Sequence, residues 1–172
     1  IIGFMNIGIS IASRYDVSDP REGAKRIIER AKAAAEAGLD SLFLGDHHVT
    51  PAPYYQNMPM LARCLADWTH APAGALYLLP FRHPVLLAEE IGTLASIMPH
   101  RFIMQSALGY GDQEFRAFGI SPTHRVSRFE ECLDIMRQLW AGETVTHHGR
   151  WQINEATISP TPPEPVEVWI GA

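Results

Sequence analysis

Asp46, His47 and His48 stand where the apolar run Ser41–Gly45 gives way to the proline-rich turn Thr50–Pro53. An acid beside two imidazoles can hold a metal, cap a turn, or move a proton near neutral pH. Neighbouring side chains of an extended segment point to opposite faces. His47 and His48 therefore do not converge on one ion, and no His-x-His pattern near the first strand adds ligands. No metal site is expected. Turn capping by Asp46 and proton transfer by a histidine both stay open on the residue types alone. A second stretch, SALGYGDQEF (Ser106–Phe115), places two glycines around Tyr110. Such glycines serve either a sharp turn or the close approach of backbone to a flat ligand. A third, Leu79–Glu90, carries Arg82. It has the reach to bind an anion, but its ordinary reading is an exposed cation. His70, His100, His124, His147 and His148 read as solvated loop residues.

The apolar pattern supplies the elements that must position these groups. Asn6–Ile11, Ser41–Gly45, Gly74–Leu79, Phe102–Ala107 and Val166–Gly171 read as strands. Helices are expected from Pro20 to Gly38, from near Pro59, from Pro84 to Pro99, and over His124–Ala141. The second of these turns Met60, Leu61, Cys64, Leu65 and Trp68 inward. Asp19 suits the N-cap of the first, with Pro20 at its first position and Glu22 completing a capping box. Glu143–Asn154 reads as a hairpin turning at Gly149, and Ser159–Pro165 as a stiff connector. The first four strands recur about every 30 residues, the span of one strand–crossover–strand unit. Such units build a parallel sheet, either open or closed into a barrel. No G-x-G-x-x-G fingerprint follows the first strand. A (β/α)8 barrel takes about 250 residues. Five strands in 172 residues are just over half of one. In either architecture ligands gather at the carboxyl ends of the strands, and the polar stretches above fall there.

Hydrophobic residues make up 47% of the chain and charged residues 19%, with a net charge of −5. That is the composition of a soluble globular protein. No basic run is long enough to track a phosphate backbone, so nucleic acid is not an expected partner. No stretch reaches the roughly 18 apolar residues of a membrane span. The opening IIGFMNIGIS lacks a basic segment and a small-residue cleavage site, so it does not read as a signal peptide. Cys64 and Cys132 fall on apolar helical stripes and are expected as buried free thiols, which fits a cytoplasmic location.

Taken in order and spacing, AGLDSLFLGDHH, LLPFRHPVLLAEEIGTLASI, HRFIMQSALGYGDQEFRAFGI, RFEECLDIMRQLWAG and PVEVWIGA resemble the luciferase-like flavin monooxygenase superfamily. The resemblance covers nearly the whole chain. It implies an α/β fold, a luciferase-like (β/α)8 TIM barrel of which residues 1–172 form the N-terminal portion of a single domain, strands 1 to 5. It places His47 as the active-site histidine that moves protons beside the flavin. Asp46 matches an acidic position that contacts the cofactor in deazaflavin-using members. Ala75 and Leu76 match a bulge that holds the ring, often through a non-prolyl cis peptide. Ala107, Leu108, Gly109 and Tyr110 match the turn that passes the cofactor. Bacterial luciferase has a reactive Cys where this chain has Ala107, and a phosphate-contacting Arg where it has Leu108. Light emission is therefore not implied, and phosphate contacts are expected from elsewhere.

The activity so implied is a flavin-dependent monooxygenase. Reduced FMN, supplied by a separate flavin reductase, and oxygen would oxygenate a small organic substrate. The alternative is a deazaflavin enzyme in which His47 is the acid/base of a hydride transfer. A metal-dependent hydrolase on the same barrel and a non-catalytic flavin-binding protein are the rival classes. The complete enzyme is expected to run to about 300–350 residues and to form a homo-oligomer. The 172 residues alone are expected to associate or aggregate through free strand edges and an open inner face bearing Ile9, Phe43, Leu78 and Met104.

Overall fold

The apolar runs become five parallel strands in a computed structural model that describes residues 5–171. They are β1 (Gly8–Ile11), β2 (Ser41–Leu44), β3 (Ala73–Leu78), β4 (Phe102–Ala107) and β7 (Glu167–Ile170), and they lie in that order across the sheet. The strands β5 (Val145–His148) and β6 (Gln152–Ala156) form the expected antiparallel hairpin. The crossovers carry α1 (Pro20–Glu36), α2 (Asn57–Leu65), α3 (Pro84–Ile97), α4 (Asp112–Ala117) and α5 (Arg125–Trp140).

Local chemistry sets the helix ends. The Asp19 carboxylate accepts from the Arg21 amide at 2.9 Å and caps α1. Glu22 pairs with Arg26 instead of closing a capping box. Gly38 follows the helix at φ +70°, a conformation that costs glycine nothing. α2 begins at Asn57, two residues before the expected proline, and ends before Trp68, whose indole donates to the Ala71 carbonyl at 2.9 Å. The helix α4 begins within Ser106–Phe115, a stretch read as a turn or a ligand-approach loop with no helix, and runs two residues past it.

Strand register separates two faces. Leu42, Ala73 and Phe102 share one row, and Leu44, Ala75, Met104 and Val168 the next. These side chains meet the helices. Leu42, Leu44, Ala73, Ala75 and Met104 have no exposed surface. Burying a leucine or methionine this way contributes about 1.5–3 kcal/mol. The opposite face carries Phe43, Leu76, Leu78, Ile103, Gln105 and Trp169. Phe43 and Leu78 do lie on the face away from the helices, but both are buried there, Phe43 under Trp169 and Leu78 with Phe81 and Phe115, so neither is the open apolar surface expected of them. Met104 and Ile9 stand in the helix-facing rows, Ile9 beside Leu42. Phe43 packs against Trp169 with the rings tilted and their centroids 5.2 Å apart. At Gly74 a Cβ would stand 1.7 Å from the Ile103 carbonyl oxygen, so β3 and β4 pack too closely for any side chain.

Several expectations need correction here. The Ala75–Leu76 step carries no cis peptide and no bulge. Its register with β4 runs unbroken from Ala73–Phe102 to Leu78–Ala107, and the cis bond among the described residues is Ser159–Pro160. His147 is not a solvated loop residue. It lies on β5 with its Nε2 2.8 Å from Glu131 of α5. Cys64 and Cys132 are buried and free, and burial pushes their thiols up to about 11 and about 12.

Candidate active site

Beyond β2 the chain leaves the sheet through Asp46, His47 and His48, then bends at Val49, which has φ 53°. That region is strained for a β-branched residue, and such strain gathers at functional sites. The two histidines do part company as alternation requires. His47 points toward Tyr54 and Tyr110, with ring centroids at 5.7 and 6.5 Å. His48 packs against Phe81 and Phe118.

His47 is 38% exposed, and its Nδ1 lies 2.6 Å from Glu114 Oε1. The same oxygen accepts the His48 amide at 2.9 Å. Glu114 is 3% exposed. It belongs to α4, where Gly111 stands so close that a Cβ there would meet Glu114 Oε2 at 2.8 Å. A buried carboxylate thus fixes one edge of a half-exposed imidazole at the mouth of the sheet. Beside it opens a cleft of about 410 Å³ lined in part by His47, Thr50, Tyr54 and Gln56. Burial, followed by the nearby Asp46 carboxylate, pushes the Tyr54 hydroxyl above its ordinary range, against the pull of Ser13.

Asp46 sits one residue back and is enclosed. Its Oδ2 accepts the Leu78 amide at 2.9 Å, and its Oδ1 accepts Arg82 at 2.7 Å. His48 Nε2 lies 3.4 Å from the same Oδ1. Burial pushes the Asp46 carboxyl up, but His48, Arg82 and the Leu78 amide together hold it below the ordinary range. Arg82, whose side chain is 20% exposed, is thus held in an ion pair with a fully buried carboxylate rather than standing as an exposed cation.

The other residues singled out by the sequence fall into two groups. Leu76 and Ala107 lie on the open face, and Ala107 stands opposite Leu78 in register. Gly109, at φ +73°, passes Phe81 so closely that a Cβ would stand 3.1 Å from its ring. Tyr110 is 84% exposed beside His47. Ala75 and Leu108 pack on the helix-side core, so the side chain of neither reaches the open face. Among the described residues no three His, Cys, Asp or Glu side chains form a metal-ligand set. Glu114, Asn57 and Tyr54 were missed, and Arg82 was singled out but read as an exposed cation. The only signal for Glu114 was an acid three residues after the second glycine of GYG, and it also reads as an ordinary first-turn acid.

A parallel sheet with its polar groups gathered at the strand carboxyl ends is the architecture of part of an enzyme barrel. Residues 5–172 match the family model for luciferase-like monooxygenases, and the chain belongs to that oxidoreductase family. It is 30% identical over 171 residues to an F420-dependent glucose-6-phosphate dehydrogenase of Nakamurella multipartita, covering 92% of this chain and 49% of that one. The monooxygenase RslO1 from Streptomyces bottropensis superposes with a TM-score of 0.86 at 23% identity, covering 96% of this chain and 52% of that one. An F420-dependent secondary alcohol dehydrogenase with an F420-acetone adduct gives 0.80 at 21% identity, over 96% and 51%. The oxygenating constituent of 3,6-diketocamphane monooxygenase from the Pseudomonas putida CAM plasmid, in complex with FMN, gives 0.78 at 24%, over 87% and 43%. The chain spans about half the length of the curated relatives it matches.

A flat flavin-type ring would find an apolar strip in Leu76 and Ala107 and no side chain at Gly109, with the rings of His47 and Tyr110 6.5 Å apart nearby.

Proposed function

We propose that this chain carries the proton-handling part of the active site of a deazaflavin-dependent oxidoreductase acting on a small hydroxyl- or carbonyl-bearing substrate. The observation that carries this reading is the contact of His47 Nδ1 with the buried Glu114 carboxylate. With Nδ1 so engaged, Nε2 has no protein partner among the described residues and faces substrate. In the oxidative direction Nε2 takes the substrate hydroxyl proton, and in the reductive direction it gives the proton back. Glu114 orients the ring and balances the charge of the imidazolium. Tyr54, kept protonated by its surroundings, donates a hydrogen bond to the substrate oxygen. A bound deazaflavin would supply the two-electron hydride acceptor. Leu76, Ala107 and Gly109 would hold its ring, with Tyr110 at the rim. The 30% identical F420-dependent dehydrogenase supports the choice of cofactor.

A second reading is favoured by the monooxygenase description of the family itself. Here reduced FMN is the cofactor, oxygen the co-substrate and a separate reductase the partner, and His47 again moves protons. Titrating the full chain with F420 and with FMN, and testing the reduced complex for oxygen consumption, separates the two. Tight F420 binding without oxygen consumption is the expected result. Failure to bind either cofactor overturns both readings.

A further inference from the structure

The Asp46 side chain has no exposed surface, and each of its oxygens already has a partner. The Arg82 nitrogen that reaches Asp46 also donates to Asn57 Oδ1 at 3.3 Å. Asn57 is itself fully buried, and its side-chain amide donates to the Leu76 carbonyl. Side chains from three segments thus end on two backbone groups, Leu76 C=O and Leu78 N–H. Pairing of β2 with β3 stops at Leu44–Ala75. Residues two apart in a strand present their backbone groups to the same edge. Asn57 and Asp46 therefore take over the hydrogen bonds that β2 no longer makes, in a place where unpaired groups are costly.

We propose that Asp46, Arg82 and Asn57 form a clamp on the end of β3, and that Asp46 serves cofactor binding as a positioning residue, through the Leu76–Leu78 backbone, without touching the cofactor. This departs from the direct contact that the family resemblance implies for Asp46. It rests on the flavin-type reading of the site. Charge is neutral within the Asp46–Arg82 pair, so Arg82→Gln leaves a fully buried carboxylate unpaired and Asp46→Asn a partly buried guanidinium, while the double variant leaves neither.

The test uses the full chain with Asp46→Asn, Arg82→Gln, the double variant, and Asn57→Ser, which strands no charge if a charge variant fails to fold. Amide hydrogen exchange at Leu78 is read without cofactor. Dissociation constants for F420 and FMN are read well below each melting temperature. Each single variant is expected to speed Leu78 exchange and to weaken cofactor binding by roughly tenfold, with the double variant no worse than either single. Weakened binding in Asp46→Asn, with Leu78 exchange unchanged and Arg82→Gln binding normally, overturns the proposal in favour of direct contact. Faster exchange with unaltered cofactor binding overturns the positioning role. Wild-type protein that binds neither cofactor fails the reading under Proposed function, a result distinct from both.

Discussion

The chain holds two histidine–glutamate pairs of nearly equal length that do different work. His47 meets Glu114 at 2.6 Å where β2 ends, and His147 meets Glu131 at 2.8 Å on the hairpin. The side chain of Glu114 is 4% exposed while its histidine is 38% exposed, so the acid is hidden and the imidazole presented. At the hairpin the two are about equally exposed, 28% and 24%. Glu131 also accepts the Arg150 amide at 2.6 Å, and Arg128 stacks 3.9 Å over the Trp151 ring. That carboxylate fastens β5–β6 to α5. The contact distance alone does not separate a reactive pair from a fastening one. What separates them is which partner faces solvent and where in the fold the pair sits.

The largest expected effect pits the two histidines against each other. His47→Ala in the cofactor-loaded full chain should lower turnover at least about 100-fold, whereas His147→Ala should leave it within a small factor. Equal losses in steady-state assays would erase the distinction between the pairs. Next come the acids. Glu114→Ala removes the partner of the part-buried His48 amide and should cost about 1–3 kcal/mol, read by chemical denaturation. Glu131→Ala should cost less than about 1 kcal/mol, as partly exposed pairs do. A double-mutant cycle on turnover should show strong coupling for His47 with Glu114 and none for His147 with Glu131.

Acid sharpens the comparison further. Burial pushes the Glu131 carboxyl up, but His147 and the Arg150 amide hold it below its ordinary value of 4.5. A depressed carboxyl stabilises the fold above the unfolded value, and that contribution is lost as pH falls through the folded one. Hairpin amides should therefore exchange faster only below about pH 4.5, and Glu131→Gln should remove the dependence. The smallest effect concerns the turn after His48. Val49→Asn relieves the positive φ and should raise stability by about 1 kcal/mol. A fall in melting temperature would show that the valine side chain matters more than the strain.

The fold was legible where the signal is local. Apolar runs spaced by helical stripes gave all five sheet strands, and Gly149 with its flanking residues gave the hairpin. Phe102–Ala107 was placed to the residue because Arg101 and the glycines after Leu108 bound it sharply. Helix α4 escaped because six residues carry too little periodicity to stand out from a turn. Ile9 and Met104 were assigned to the wrong face because a short strand apolar on both sides gives no alternation to read. At the site, His47 was found by residue type and by resemblance. Glu114 was not, because it lies 66 residues from His48, whose amide it accepts, and nothing local marks it.

By itself the sequence determined the strand–helix order, the gathering of polar residues at the strand ends, and the opposite aims of His47 and His48. These follow from side-chain period and hydrophobic pattern, which act within a few residues. Only the tertiary structure decided that Arg82 pairs with the buried Asp46, that Asn57 reaches the end of β3, and that Glu114 backs His47. A buried polar group must find its partner wherever the packed chain brings one within hydrogen-bonding distance, and that choice is made between segments rather than along them.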